Sequence, residues 1–400
     1  MTLSPRAARD VVVVGGGPAG AACALFLKQL GHDVLLLDRA RFPRDKVCGE
    51  SVSPEAWRLL ETLGAAAAVR GLGPHAIHGM TLTAPDGTCF SGRYPEGRTG
   101  FALRREALDA ALVSVARDTG VEVREGVRVT DVLRRAGRVC GVACEGASGP
   151  ERIEARLVVG ADGRHSAVAH RLSLLRPHPG LRRFAVRAHL EGMQGLSSCG
   201  EMHVGPAAYC GIAPLTQSCA NVALVVDAAE MRAAAGDVES FFFAALGRWP
   251  AVRERLAHAR LLAPPRAIGP LALVASRLSV PGAALVGDAA GFYDPFTGEG
   301  VTLALRSAEL LAPVADAALR SGRPERLLGY DRARAAATRD KFRVNRLIQQ
   351  LVGWPSLANA VAHRLRRRPD LADRLVGIAG DFVPARRALS AGFVWDLMTA

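Results

Sequence analysis

Four consecutive valines running into a glycine cluster constrain this chain more tightly than any other stretch. VVVVGGGPAGAACALFLKQLGHDVLLLD occupies residues 11–38. The apolar run 10–14 is short, so it reads as a buried strand. Gly15, Gly16, Gly17, Pro18, Ala19 and Gly20 turn it into a helix that runs to Leu30, where Gly31 ends it. A second apolar run, 34–38, is the next strand. A strand–helix–strand unit of this length calls for a parallel pair and an α/β core.

Gly15, Gly17 and Gly20 have the spacing G-x-G-x-x-G. Gly15 permits the tight turn, Gly17 leaves the backbone bare for a pyrophosphate, and Gly20 lets helix and strand approach. The helix N-terminus, with Pro18 and Ala19 in its first turn, offers N–H groups to an anion. Asp38 ends the second strand, where a carboxylate accepts from a ribose, and Arg39 follows it. A dinucleotide is expected, and this unit alone does not choose between NAD and FAD.

The choice comes from ALVGDAAGFYDPFTGEGVTLAL, residues 284–305. It is a second strand–turn–helix unit. Gly287 and Asp288 end the strand, Pro295 bends the chain, and Gly298, Glu299, Gly300 and Val301 open the helix. An acid here can accept from a chain of sugar-like hydroxyls. The helix N-terminus can face a ring that becomes anionic when reduced. NAD has no use for this second site; FAD, with its ribityl chain and flavin, does.

With GADGRHSAV (160–168) and the helix start at Arg105, Leu108 and Asp109, these segments resemble the FAD-dependent enzymes of the aromatic-hydroxylase and geranylgeranyl-reductase superfamily. The resemblance covers residues 10–310. It implies that Arg105 contacts FAD and that Asp162 and Gly163 build a turn coupling the FAD and pyridine-nucleotide sites. It also implies that Asp288 binds the ribityl or pyrophosphate part, while backbone N–H groups near Pro295, Gly298 and Gly300 face the flavin. ARFPRDKVCGESVSP (40–54) would lie beside the ring. Cys48 and Gly49 match the geranylgeranyl reductases there. The thiol could donate a proton to a substrate being reduced, or be a small buried hydrophobe. Arg44 and Lys46 are candidates for the phosphates of NAD(P)H, expected as a transient reductant because there is no second G-x-G-x-x-G. Flavin halogenases carry W-x-W-x-I-P on the strand that here reads Tyr209-Cys210-Gly211-Ile212-Ala213-Pro214. Both tryptophans are missing, so halogenation is not expected. Tyr209, Gly211 and Pro214 are expected to line a pocket with room for a bulky or elongated substrate.

The predicted fold is mixed α/β. A Rossmann-like FAD-binding domain with a parallel sheet (1–75, 100–178, 270–325) is interleaved with an antiparallel-sheet substrate domain (76–99, 179–269). A helical C-terminal region follows (326–400). The predicted reaction is NAD(P)H-dependent monooxygenation, by way of a hydroperoxyflavin, of a hydrophobic aromatic, polyketide or isoprenoid-like molecule. Two alternatives stand beside it: reduction of isoprenoid double bonds, as in geranylgeranyl reductases, and electron relay to a quinone or partner protein.

Composition adds boundaries. The net charge of +13 is carried almost wholly by arginine, with lysine only at Lys28, Lys46 and Lys341. This pattern of residue usage gives no case for a nucleic-acid partner. The eight cysteines are scattered, without a C-x-x-C pair, and His75, His78, His189 and His203 lack metal spacing. No metal or iron–sulfur site is expected, and a reducing compartment is. The N-terminus lacks the apolar core of a secretory signal, so a cytoplasmic monomer or homodimer is expected. The basic helices ending in RLRRRP (364–369) read as solvated, with peripheral membrane contact as the alternative.

Overall fold

The computed structural model describes residues 8–234 and 236–380, together with residues 390, 392 and 396. Residues 1–7 of the first expected domain, residue 235 of the second and the remainder of 381–400 lie outside the described residues.

Along the chain, strand β1 (Arg9–Val14), helix α1 (Pro18–Gln29) and strand β2 (Val34–Asp38) form the opening unit. The hairpin β3 (Gly79–Thr83) and β4 (Cys89–Arg93) follows, then α2 (Arg105–Asp118) and β5 (Glu122–Glu125). Next come β6 (Arg128–Arg135), β7 (Arg138–Gly146) and the long β8 (Gly149–Gly160). Four long strands succeed them: β9 (Arg183–Glu191), β10 (Cys199–Gly205), β11 (Ala208–Pro214) and β12 (Cys219–Asp227). The short β13 (Ala283–Leu285) precedes α3 (Gly300–Ser321). Three helices finish the described chain: α4 (Leu328–Val352), α5 (Pro355–Arg367) and α6 (Pro369–Ala379).

The first sheet is parallel through β13-β8-β1-β2-β5. Both of its faces are covered, which is why its strands are unbroken apolar runs rather than alternating ones. Val11 and Val13 meet α1, α2 and α3 on one side; Val12 and Val14 meet Leu35, Leu37, Val158 and Val168 on the other. The β6–β7 hairpin extends this sheet by antiparallel pairing with the first half of β8.

The second sheet has the core order β9-β12-β11-β10-β3-β4. It is antiparallel except at one ladder. There β3 pairs parallel with β10. The two strands are joined by a crossover of more than one hundred residues through the first sheet, so no hairpin turn forces them to oppose. One face of this sheet packs on Phe242, Leu246 and Trp249; the other turns Met202, Tyr209 and Val225 toward the first domain. Helices α5 and α6 close over β4. Gly92 is required there, because a Cβ on it would stand 2.5 Å from the Ala372 carbonyl oxygen.

Candidate functional site

Two helix N-termini point into one cleft. Helix α1 begins at Gly17 and α3 after Glu299; neither has a side-chain cap or an acid in its first turn. Uncapped N–H groups leave a partial positive charge that needs a partner. Gly17, Pro18 and Ala19 line the cleft beside Gly287, Asp288, Pro295, Gly298, Gly300 and Val301. The cleft encloses about 1560 Å³, part of it open solvent. Sequence positions some 270 residues apart therefore share a wall.

The turns touch directly. Gly287, at φ +59°, lies so close to α1 that a Cβ there would be 2.7 Å from Ala19 Cβ. In the first turn Gly15 has φ +103°, a conformation costly for any side chain. A Cβ on Gly20 would sit 1.7 Å from the Gly15 carbonyl oxygen. These two glycines build the turn and do not line the cleft. Asp38 is buried and accepts from the Gly16 amide at 2.6 Å and the Ala40 amide at 2.8 Å. It braces the turn at the cleft's edge, while Arg39 beside it is exposed.

Basic groups gather next to Gly17. Arg105 holds Asp109 through two hydrogen bonds of 2.7 Å, and Arg44 reaches the same carboxylate at 2.9 Å. A Cβ on Gly17 would be 3.6 Å from Arg44 Nη2 and 3.8 Å from Arg105 Nη2. Burial opposes the charge on Arg105, but Asp109 and the facing Cys48 thiol outweigh it and hold the guanidinium protonated. Lys46 lies 3.5 Å from Asp288.

Cys48 and Gly49 line the same cleft, as does Gly163. Asp162 does not. Its carboxylate accepts from Ser166 Oγ at 2.5 Å and the Ala167 amide at 2.6 Å, so it caps the following short helix. Burial pushes its pKa up. Glu299 also faces away: it stands between two glycines of the cleft, but its carboxylate meets Lys341 of α4 at 3.0 Å.

From the second sheet, Tyr209 and Gly211 reach the cleft. Pro214 is a correction. It shares strand parity with Cys210, on the face packed against Phe242 and Leu246, and is not part of the lining. The space left by Gly211 is partly filled: Met202 Cε lies 3.4 Å from where its Cβ would be.

Three groups were not anticipated from the sequence. Glu50, 1% exposed and at φ +59°, accepts from His189 Nε2 at 2.7 Å, Asn221 Nδ2 at 2.8 Å and the Arg105 amide at 2.9 Å. Burial works against its charge, yet these donors hold its carboxyl below the usual value. Asn221 also donates to the Cys48 carbonyl at 2.9 Å, tying the loop to the second sheet. Arg164 lines the cleft with Nε and Nη1 buried and lacking hydrogen-bond partners. Finally, Asp294 gathers Tyr209 OH at 2.6 Å, Gln349 Nε2 at 2.7 Å and Arg183 at 3.2 Å.

A dinucleotide fits this cleft on its own terms. The bare Gly17 edge, two uncapped helix ends and the orphaned Arg164 N–H groups suit a pyrophosphate; Asp288 offers an acceptor to hydroxyls.

The FAD binding domain family matches residues 8–194. The chain is 30% identical over 319 residues to a menaquinone reductase of Mycolicibacterium smegmatis, covering 76% of this chain and 75% of that protein. It is 29% identical over 327 residues to digeranylgeranylglycerophospholipid reductase 2 of Methanothermobacter thermautotrophicus, covering 78% and 79%. Its fold is shared with a flavoprotein/dehydrogenase from Cytophaga hutchinsonii at TM-score 0.84 and 22% identity, covering 94% and 93% of the two chains. A myxobacterial chondrochloren halogenase shares it too, at TM-score 0.79 and 23% identity, covering 98% and 90%. At these identities the structural likenesses speak for the fold alone.

Proposed function

The chain belongs to the FAD-dependent oxidoreductases of the aromatic-hydroxylase and geranylgeranyl-reductase superfamily, and from that premise we propose that it reduces a carbon–carbon double bond in an apolar, isoprenoid-like substrate. The observation that carries this reading is a second chamber that shares a wall with the cleft. The two share Met80, Met202, Phe296 and Thr297. The chamber encloses about 1030 Å³, part of it open solvent, between the second sheet and helices α4 to α6. Leu82, Phe90, Val204, Ile348 and Leu365 give it an apolar wall that suits a long hydrocarbon tail. The two relatives described above, both reductases by name, support the same reading.

Bound in the cleft, FAD supplies hydride chemistry, with a reduced pyridine nucleotide as the expected source of the electrons. The protein's own part is to place the substrate and a proton. Hydride goes to one carbon of the double bond and a proton to the other. Cys48, half-buried on the cleft wall, presents that proton. Asn221 and Glu50 fix its loop, and Met202 with Phe296 steer the alkene toward the cleft while the tail lies in the chamber.

The test is to mix the photoreduced protein anaerobically with a geranylgeranyl lipid that carries no quinone ring. Substrate-dependent return of oxidised flavin absorbance, with a product two mass units heavier, is the expected result. A product gaining one oxygen atom, formed only in air, would replace this reading with monooxygenation. Cys48→Ser is expected to slow anaerobic reduction about a hundredfold with unchanged flavin content. An unchanged rate removes Cys48 from the proposal.

A further inference from the structure

Helix α4 reaches back to the cofactor cleft at two points. Lys341 pairs with Glu299 at 3.0 Å, their side chains 11% and 2% exposed. Two turns later Gln349 donates to Asp294 at 2.7 Å. Asp294 and Glu299 bracket the turn that carries Pro295 and Gly298 into the cleft, and Gly300 follows at once. Glu299 also accepts from Thr297 Oγ1 at 3.1 Å, and nearby Tyr94 has its pKa raised chiefly by burial and further by the Glu299 charge.

We propose that Lys341 is a positioning residue that sets the electrostatics of the flavin from outside the cofactor domain. The N-terminus of α3 favours negative charge in the cleft. Glu299, one residue before that helix, opposes it across a poorly screened interior. The Lys341 ammonium offsets Glu299, so the turn can face a ring that gains negative charge on reduction. Because Lys341 also lines the apolar chamber, the same ammonium lies between the tail site and the flavin turn. The proposal rests on FAD occupying the cleft and not on the choice of substrate reaction.

The sign of the effect separates an electrostatic role from a structural one. Dye-equilibrated midpoint potentials of bound flavin are compared in wild type, Lys341→Met, Glu299→Gln and the double variant, beside FAD dissociation constants from fluorescence. Lys341→Met is expected to lower the potential, Glu299→Gln to raise it, and the double variant to return near wild type. Lys341→Arg keeps the charge and is expected to keep the potential. Arg346→Ala, on the exposed side of the same helix, controls for the helix itself. Equal potentials throughout, or shifts of the same sign in both single variants, overturn the proposal. If Lys341→Met does not fold, the upward shift in Glu299→Gln alone decides. Unaltered FAD binding with shifted potentials supports charge compensation. A loss of FAD affinity in Lys341→Met that the double variant fails to restore marks the pair as a structural tie and refutes it.

Discussion

Replacing Glu50 with glutamine tests whether the loop beside the cofactor cleft is held by charge rather than shape. The carboxylate accepts three hydrogen bonds and is 1% exposed. All three partners offer protons. Asn221 Nδ2 and the Arg105 amide can only donate. His189 must donate from Nε2, because its Nδ1 faces Arg187 Nη1, another donor, at 3.1 Å. A glutamine therefore has one oxygen for three donors, and its amide must point at one of them. The best arrangement turns the amide toward the Arg105 N–H, leaving the first turn of α2 unsatisfied. One buried donor left unmet costs about 1–3 kcal/mol, and weakening the other bonds from charge-assisted to neutral adds about 1 kcal/mol. The expected loss is about 2–4 kcal/mol at pH 7, measured by urea unfolding of the holoprotein under equal FAD. The pH dependence has a fixed sign. Glu50 is held below its ordinary value of 4.5, so its contribution is complete above that value and is lost as pH falls through the folded one. The gap between wild type and Glu50→Gln narrows below pH 4.5. A loss under about 0.5 kcal/mol at pH 7, or a gap that widens in acid, refutes the reasoning.

Two further outcomes follow from the cleft. Asp288→Ala removes the acceptor paired with Lys46 and is expected to weaken FAD binding about ten- to a hundredfold; titration by flavin fluorescence giving wild-type affinity contradicts the role of Asp288. Gly20→Ala forces a Cβ to within 1.7 Å of the Gly15 carbonyl oxygen, so the first turn must open. A stability loss of about 3 kcal/mol or more with loss of flavin is expected by thermal melting and absorbance, and an unchanged melting temperature rules this out.

What the sequence revealed was what is carried by short, regular spacing. The valine run forms β1, Gly15 and Gly20 make the tight turn after it, and Gly17, Gly287 and Asp288 line the cleft, each placed by a local pattern. The turn at Pro85-Asp86-Gly87, which joins β3 to β4, has the same local kind of reason. The polar contacts between domains were hidden. Glu50 lies in an irregular loop, where a glutamate reads alike whether exposed or buried, and its partners His189 and Asn221 are about 140 and 170 residues away. Asn221 did leave a trace: it stands in the apolar strand NVALVVD, where a polar side chain needs a partner. Glu299 was assigned to the cofactor because its neighbours were; the alternation that turns its side chain to Lys341 depends on where α4 lands. Pro214 was misplaced by one residue, onto the opposite face from Tyr209, Gly211 and Ala213, along a strand whose parity the sequence already contained.

Two turns, at residues 15–20 and 287–300, meet to build the cleft, with the second sheet lying between them in sequence. During synthesis the opening turn emerges early, but its counterpart cannot join until about three-quarters of the chain has been made. Until then the nascent protein offers one uncapped helix end and half a cleft. A product truncated before Gly287 therefore carries only one of the two turns that build the cleft.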